Sequence, residues 1–189
     1  MRTTTLIAAV SLGLALAACG KKQDETTTVT TNDTSVTVDN SVTATVVALP
    51  AQKFADTVAS SDLFEIQSGK LAETMGATAA VKDFGKMLVT QHTQSSDALK
   101  QAAAKTSPVV ALPMILPPDL KAKIDALKAA KGAEFDKLFV AQQIEGHKTA
   151  LDALRAYAAG GDQASLKAFA TSVVPTVEGH LSQLEAMPK

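Results

Sequence analysis

The chain has 189 residues, 18 of them basic and 19 acidic, for a net charge of −1: enough length for one substantial domain, with no excess of either sign. Its basic residues are scattered rather than striped, which argues against a nucleic-acid partner. A single cysteine excludes an internal disulfide. With no Trp, one Tyr and six Phe, the core falls to Ala and Leu, so its elements must pack closely.

In chain order, Arg2 precedes an apolar run from Leu6 to Ala18, the layout of a signal peptide rather than of a spanning helix. The run ends Leu16-Ala17-Ala18-Cys19, which resembles the lipobox of bacterial lipoproteins. That resemblance implies cleavage after residue 18 and lipid on Cys19, a stable anchor on the periplasmic side of a membrane. Gly20 rather than Asp follows the cysteine, which by resemblance to enterobacterial sorting favours the outer membrane. Removal of Arg2 with the signal segment leaves 17 basic against 19 acidic residues, a net charge of −2. Residues 26 to 45 hold nine Thr and no Leu, Ile or Phe, too little apolar surface to offset the entropy of ordering. Residues 19–49 therefore read as a flexible tether, and 50–189 as the domain.

From Pro50 onward, apolar residues recur at helical spacing as far as Met75-Gly76, predicting a helix over 51–75. A second helix is predicted over 77–105, ending before Ser107-Pro108. The connection that follows carries Pro108, Pro113, Pro117 and Pro118, then a short helix over 119–130, punctuated by Gly132. A further helix over 133–159 stops at Gly160-Gly161, and Asp162 is placed to cap a last one running to about Met187. Pro175 lies inside that last helix and is expected to kink it. Strand signals are absent from 50 to 189. The fold class is therefore all-α: a four-helix bundle whose long crossover contains a short helix, as in ferritin-like folds.

Periodicity then places the polar residues. On the third long helix, His147 fills a gap in the line Val140, Ile144, Leu151, Leu154. His180 lies within Leu166, Val173, Val177, Leu184, and His92 on the line of Val81, Leu88 and Leu99. Glu65 sits mid-way along Phe54, Val58, Ala72. The chain's only three histidines thus face inward from three helices, and the fourth helix offers a carboxylate. Glu65 is 11 residues before Gly76 and His92 is 16 after it; His147 is 13 before Gly160 and His180 is 18 after Asp162. At roughly 1.5 Å per residue, each hairpin places its pair near mid-bundle with an offset of roughly 7 or 8 Å, which tilt can reduce.

Three imidazoles and a carboxylate suit Zn, Fe, Mn or Cu, so Glu65, His92, His147 and His180 are the candidate ligands of a transition metal. A buried polar cluster that only fixes helix register is the competing reading. A carboxylate-bridged dinuclear oxidase is disfavoured, because the residues three before each histidine are Val89, Ile144 and Val177 rather than Glu. Glu145 and Glu178, two before a histidine, are expected in solvent. Met75, Met87 and Met187 read as core filler, and no nucleophile elbow, P-loop or dinucleotide fingerprint is present.

Several motifs, in order, resemble a family of bacterial ferritin-like domains of unknown function, described as outer-membrane or exported proteins. They are Glu65-Ile66 with Gly69-Lys70-Leu71-Ala72, Val81-Lys82 and Phe84 leading to Met87-Leu88-Val89 and His92-Thr93, Phe135-Asp136 with His147, and Phe169-Ala170 with Pro175 and His180-Leu181. The resemblance covers about residues 51 to 187 and implies the ferritin-like fold. The family carries an acidic residue before the second-helix histidine, where this chain has Gln91. Two functions follow as expectations: a membrane-anchored metal-binding module, or a non-catalytic envelope-stress or partner-binding lipoprotein whose Glu/His cluster is structural.

Overall fold

The computed structural model describes residues 49–187; the signal segment, Cys19 and all but the last residue of the expected tether lie outside the described residues. Five helices follow one another: α1 (Ala51–Met75), α2 (Ala79–Ala103), α3 (Pro118–Ala129), α4 (Gly132–Gly160) and α5 (Ala164–Glu185), with no strand among the described residues. α1 packs on α2 and α4 on α5, each pair joined by three residues. The two hairpins meet through α1 against α4 and α2 against α5, closing a helical bundle, and α3 lies on α1 and α4.

Local chemistry sets the ends. α1 begins after Pro50, whose restricted φ suits a helix start, and the Phe54 amide closes the first turn on the Pro50 carbonyl at 2.9 Å. At the start of α2 the Thr78 hydroxyl accepts from the Val81 amide. Asp136, from the second turn of α4, reaches across to accept from the Ala77 and Thr78 amides at 2.8 and 2.9 Å and from the Thr78 hydroxyl at 2.8 Å. The starts of α2 and α4 therefore share one end of the bundle. At the other end Ser165, opening α5, donates to the Ala102 carbonyl in the last turn of α2 at 2.8 Å. α2 and α4 thus run parallel, and residues 104–131 must return along the length of the bundle, as the length of that connection predicts.

Two helices differ from expectation at their ends. The second helix spans 79–103 rather than 77–105, because residues 77 and 78 serve as the cap anchored by Asp136. Asp162 does not cap the last helix: Gln163 occupies the N-cap position, and the Asp162 carboxylate instead accepts the Tyr157 hydroxyl at 2.6 Å. Tyr157 is fully buried and stacks on Phe54 at 3.9 Å, so its hydroxyl needs an acceptor at the bundle end, and Asp162 is the one in reach.

The apolar core is split. One cluster runs from Phe54 and Val58 through Leu99, Leu151, Leu154 and Tyr157 to Leu166 and Val177. The other joins Phe64, Val81, Phe84 and Leu88 with Ile124 and Leu127 of α3, Phe135, Phe139 and Leu184; Met75, Met87 and Met187 pack against it as filler. Between them lies a polar layer: Asp62, Glu65 and Ser68 of α1, His92 of α2, Gln143 and His147 of α4, and His180 of α5, all buried. α1 and α2 approach closely beside this layer, where a Cβ on Gly69 would stand 2.7 Å from the Gly85 carbonyl oxygen and one on Gly85 2.7 Å from that of Gly69.

Candidate metal centre

All four residues expected inside are there: Glu65 is 1%, His92 7%, His147 2% and His180 2% exposed. The three rings form a near-equilateral triangle, with centroids 5.3 Å (His147–His180), 5.5 Å (His92–His180) and 5.8 Å (His92–His147) apart. One ring nitrogen from each lies within 4.8 Å of the other two.

Each imidazole is held from behind by an oxygen. His92 Nδ1 lies 2.8 Å from Asp62 Oδ1, and Asp62 also accepts the Ser96 hydroxyl at 3.2 Å. His147 Nδ1 lies 2.9 Å from the Gln143 carbonyl one turn back on its own helix. His180 Nε2 lies 2.7 Å from Gln91 Oε1 on α2. Carboxylate and carbonyl oxygens only accept, so those three nitrogens carry the hydrogens. A neutral imidazole has one N–H, which leaves His92 Nε2, His147 Nε2 and His180 Nδ1 with bare lone pairs turned toward one another. His92 Nε2 has no partner among the described residues, and His147 Nε2 and His180 Nδ1 are 3.2 Å apart.

The electrostatics favour that state for two of the rings. Burial, reinforced by positive charge on His92, pushes His147 down to about 3 and His180 down to about 4. Burial also opposes charge on His92, but the Asp62 hydrogen bond and the negative charges of Glu65 and Asp62 outweigh it and raise its pKa. Glu65 is pushed up to about 7, chiefly by burial; His92 opposes the rise and the nearby Asp62 carboxylate adds to it.

Glu65 stands apart from the triangle. Its Oε1 is 3.8 Å from His147 Nδ1, the nitrogen facing away from the cluster, and its Oε2 has no partner among the described residues. Among the described residues, the three mutually close ligand atoms are the histidines' alone. Glu145 and Glu178 lie outside the layer and exposed, paired with Lys123 at 2.8 Å and Arg155 at 2.7 Å.

Three partners of the site are absent from the sequence expectations. Asp62 precedes Glu65 by three residues on α1 and so shares its face, a spacing that is enough to find it. Gln143 stands four before His147 and acts through its backbone carbonyl, which no side-chain pattern reveals; its side chain donates to Ser68 at 2.9 Å. Gln91, beside His92, turns toward α5 instead.

A family model described as a domain of unknown function, DUF4142, matches residues 37–187. The chain belongs to this family. The match takes in every residue of the polar layer of this DUF4142 domain, and it begins at residue 37, within the stretch read as tether. No curated protein and no solved structure matches the chain.

Proposed function

We propose that this DUF4142 domain is a ferritin-like four-helix module, lipid-anchored through Cys19 on the periplasmic side of a bacterial membrane, and that it binds one transition metal ion on His92, His147 and His180. The observation that carries the metal reading is the orientation of the rings: each of the three imidazoles sets one nitrogen against an outer oxygen, which leaves its other nitrogen on the inner side. Outer acceptors that fix ring orientation and raise ligand basicity are the usual support of histidine metal sites. Ligands at roughly 2.0–2.1 Å from a tetrahedral ion stand about 3.3 Å from each other, close to the 3.2 Å between His147 Nε2 and His180 Nδ1. A void of about 30 Å³ lined by residues including Asp62, Gln91, His92 and His180 has room for a water molecule or two beside the site. All-nitrogen donors favour Zn, Cu or Fe over Mn.

The membrane reading rests on the Leu16-Ala17-Ala18-Cys19 sequence. No described helix is long and apolar enough to cross a membrane. Labelled palmitate should enter the full-length protein in its native bacterial host and be absent from Cys19→Ser; equal labelling of both would remove the anchor.

A second reading has its own support: His92 and Asp62 form a buried ion pair at 2.8 Å, which could hold the layer together with a proton rather than a metal. Elemental analysis after loading with Zn²⁺ separates the two. About one equivalent in the wild-type chain and next to none in the His92→Ala/His147→Ala/His180→Ala variant is expected; trace metal in both leaves a structural cluster in a non-catalytic lipoprotein.

A further inference from the structure

A groove of about 420 Å³ opens on the bundle surface where α1, α3 and α4 meet, and it is separate from the histidine triangle. Its wall includes Asp56, Ser60 and Ser61 of α1, Asp119 of α3, and Gln142 and Gly146 of α4. Gly146 gives it a relation to the polar layer. A Cβ built there would lie 3.4 Å from Glu65 Oε1, and among the described residues no other part of a neighbouring helix stands within 4 Å of it. This is unlike Gly69 and Gly85, where a Cβ would collide with the opposing backbone at 2.7 Å. With no side chain at position 146, the helix backbone that lines the groove comes close to the Glu65 carboxylate, which is in turn 3.8 Å from His147.

Two buried acceptors mark the same path. Gln142 Oε1 and Glu65 Oε2 have no hydrogen-bond partner among the described residues, although Gln142 is 8% and Glu65 1% exposed. Buried acceptors without donors are costly, and a passing cation or its water satisfies them. At the mouth, Lys53, Lys123 and Glu145 also line the groove; Lys123 pairs with Glu145 at 2.8 Å, and Asp119 and Asp56, the latter also accepting from the Gln52 amide at 2.8 Å, add carboxylates to the wall.

We propose that this groove is the port through which a divalent transition metal ion reaches the histidine centre, with Glu65 behind Gly146 as the relay carboxylate that takes the ion from the groove and hands it to the imidazoles. The role assigned to Glu65 is thus transfer rather than permanent ligation, in keeping with its place on the outer side of His147. The inference rests on the metal-binding reading and concerns rates, whereas that reading concerns stoichiometry.

The test uses the full chain and Zn²⁺, following uptake by stopped flow and release to a chromophoric chelator. Gly146→Val narrows the opening, and Thr149→Trp fills the groove from its exposed rim without touching the core. Each should slow uptake and release together by tenfold or more, with stoichiometry and Kd unchanged, because an obstructed path raises the barrier equally in both directions. Glu65→Gln should slow both rates while the three histidines still hold about one equivalent. Thr176→Phe, on the wall of the small void that shares Ser61 and Ala150 with the groove and touches His92 and His180 directly, tests the rival entry and should leave the rates alone. Unchanged rates in Thr149→Trp, or slowing in Thr176→Phe instead, would overturn the port. A wild-type chain that takes up no Zn²⁺ would overturn the metal-binding reading itself and the port with it.

Discussion

His147 Nε2 and His180 Nδ1 face each other across 3.2 Å, and neither carries a hydrogen, because the Gln143 carbonyl and Gln91 Oε1 take the one N–H of each ring. Two lone pairs at that distance in a buried layer repel unless a cation or a proton lies between them.

Gln91 decides which. Its amide oxygen accepts from His180; turned over, its NH₂ would donate to His180 Nε2 and leave Nδ1 to donate to His147. Gln91→Glu removes that second arrangement, since a carboxylate only accepts, and should tighten Zn²⁺ binding. Gln91→Leu leaves the ring unsupported and should weaken it by roughly 10–100-fold. Competition against a chelator of known affinity measures both, and equal affinities in all three proteins would refute the assignment.

Asp62 plays the matching part for His92. Asp62→Ala strips the buried Nδ1–H of its acceptor and should lower the affinity for Zn²⁺ by roughly 10–100-fold while destabilising the metal-free domain by about 1–3 kcal/mol. Asp62→Asn keeps an acceptor and loses the charge, so the His92 pKa should fall, as NMR titration of the ring would report. A His92 titration indifferent to Asp62→Asn would show that the ion pair does not govern it.

Glu65 sets a pH dependence for the metal-free domain. Its folded pKa of about 7 lies above its ordinary 4.5, so its contribution to stability is fully present below 4.5 and is lost as pH rises through 7. Glu65→Gln cannot ionise. The variant and the wild type should be similar near pH 4, and the variant should be the more stable by up to roughly 3 kcal/mol at pH 8, the free energy of holding a proton across that gap. His147, held down at about 3, works in the other direction: its contribution is present above its ordinary 6.5 and is lost as pH falls toward 3. Denaturant melts across pH 4 to 8 read both limbs. A Glu65→Gln curve parallel to wild type would mean the carboxyl titrates normally.

Gly69→Ala drives a methyl into the Gly85 carbonyl, where 2.7 Å is all the room there is. The expected cost is about 1–3 kcal/mol, with a lower Tm. Because α1 and α2 also carry Asp62 and His92, the parting of the two helices should loosen Zn²⁺ binding as well. A fall in Tm with no change in affinity would place the close approach outside the workings of the site.

The sequence by itself determined the all-helical class, the ends of the helices to within two residues, and the fact that His92, His147, His180 and Glu65 point into one mid-bundle layer. Helical periodicity carries that much, because a residue's face and its height along a helix follow from counting. The lipid anchor at Cys19 and the tether are expectations of the sequence too, and they lie outside the described residues. What only the tertiary structure decided is which atoms meet. That Asp62, Gln91 and the Gln143 carbonyl hold the rings from behind, and that Glu65 lies on the outer side of His147, depends on how far the helices rotate and how closely they approach. Asp162, drawn to the Tyr157 hydroxyl rather than to a helix cap, shows the same thing at the bundle end. A repeat of 3.6 residues specifies a direction to within a wide arc, whereas a hydrogen bond requires a partner within about 3 Å, and that partner comes from a different helix or from the backbone.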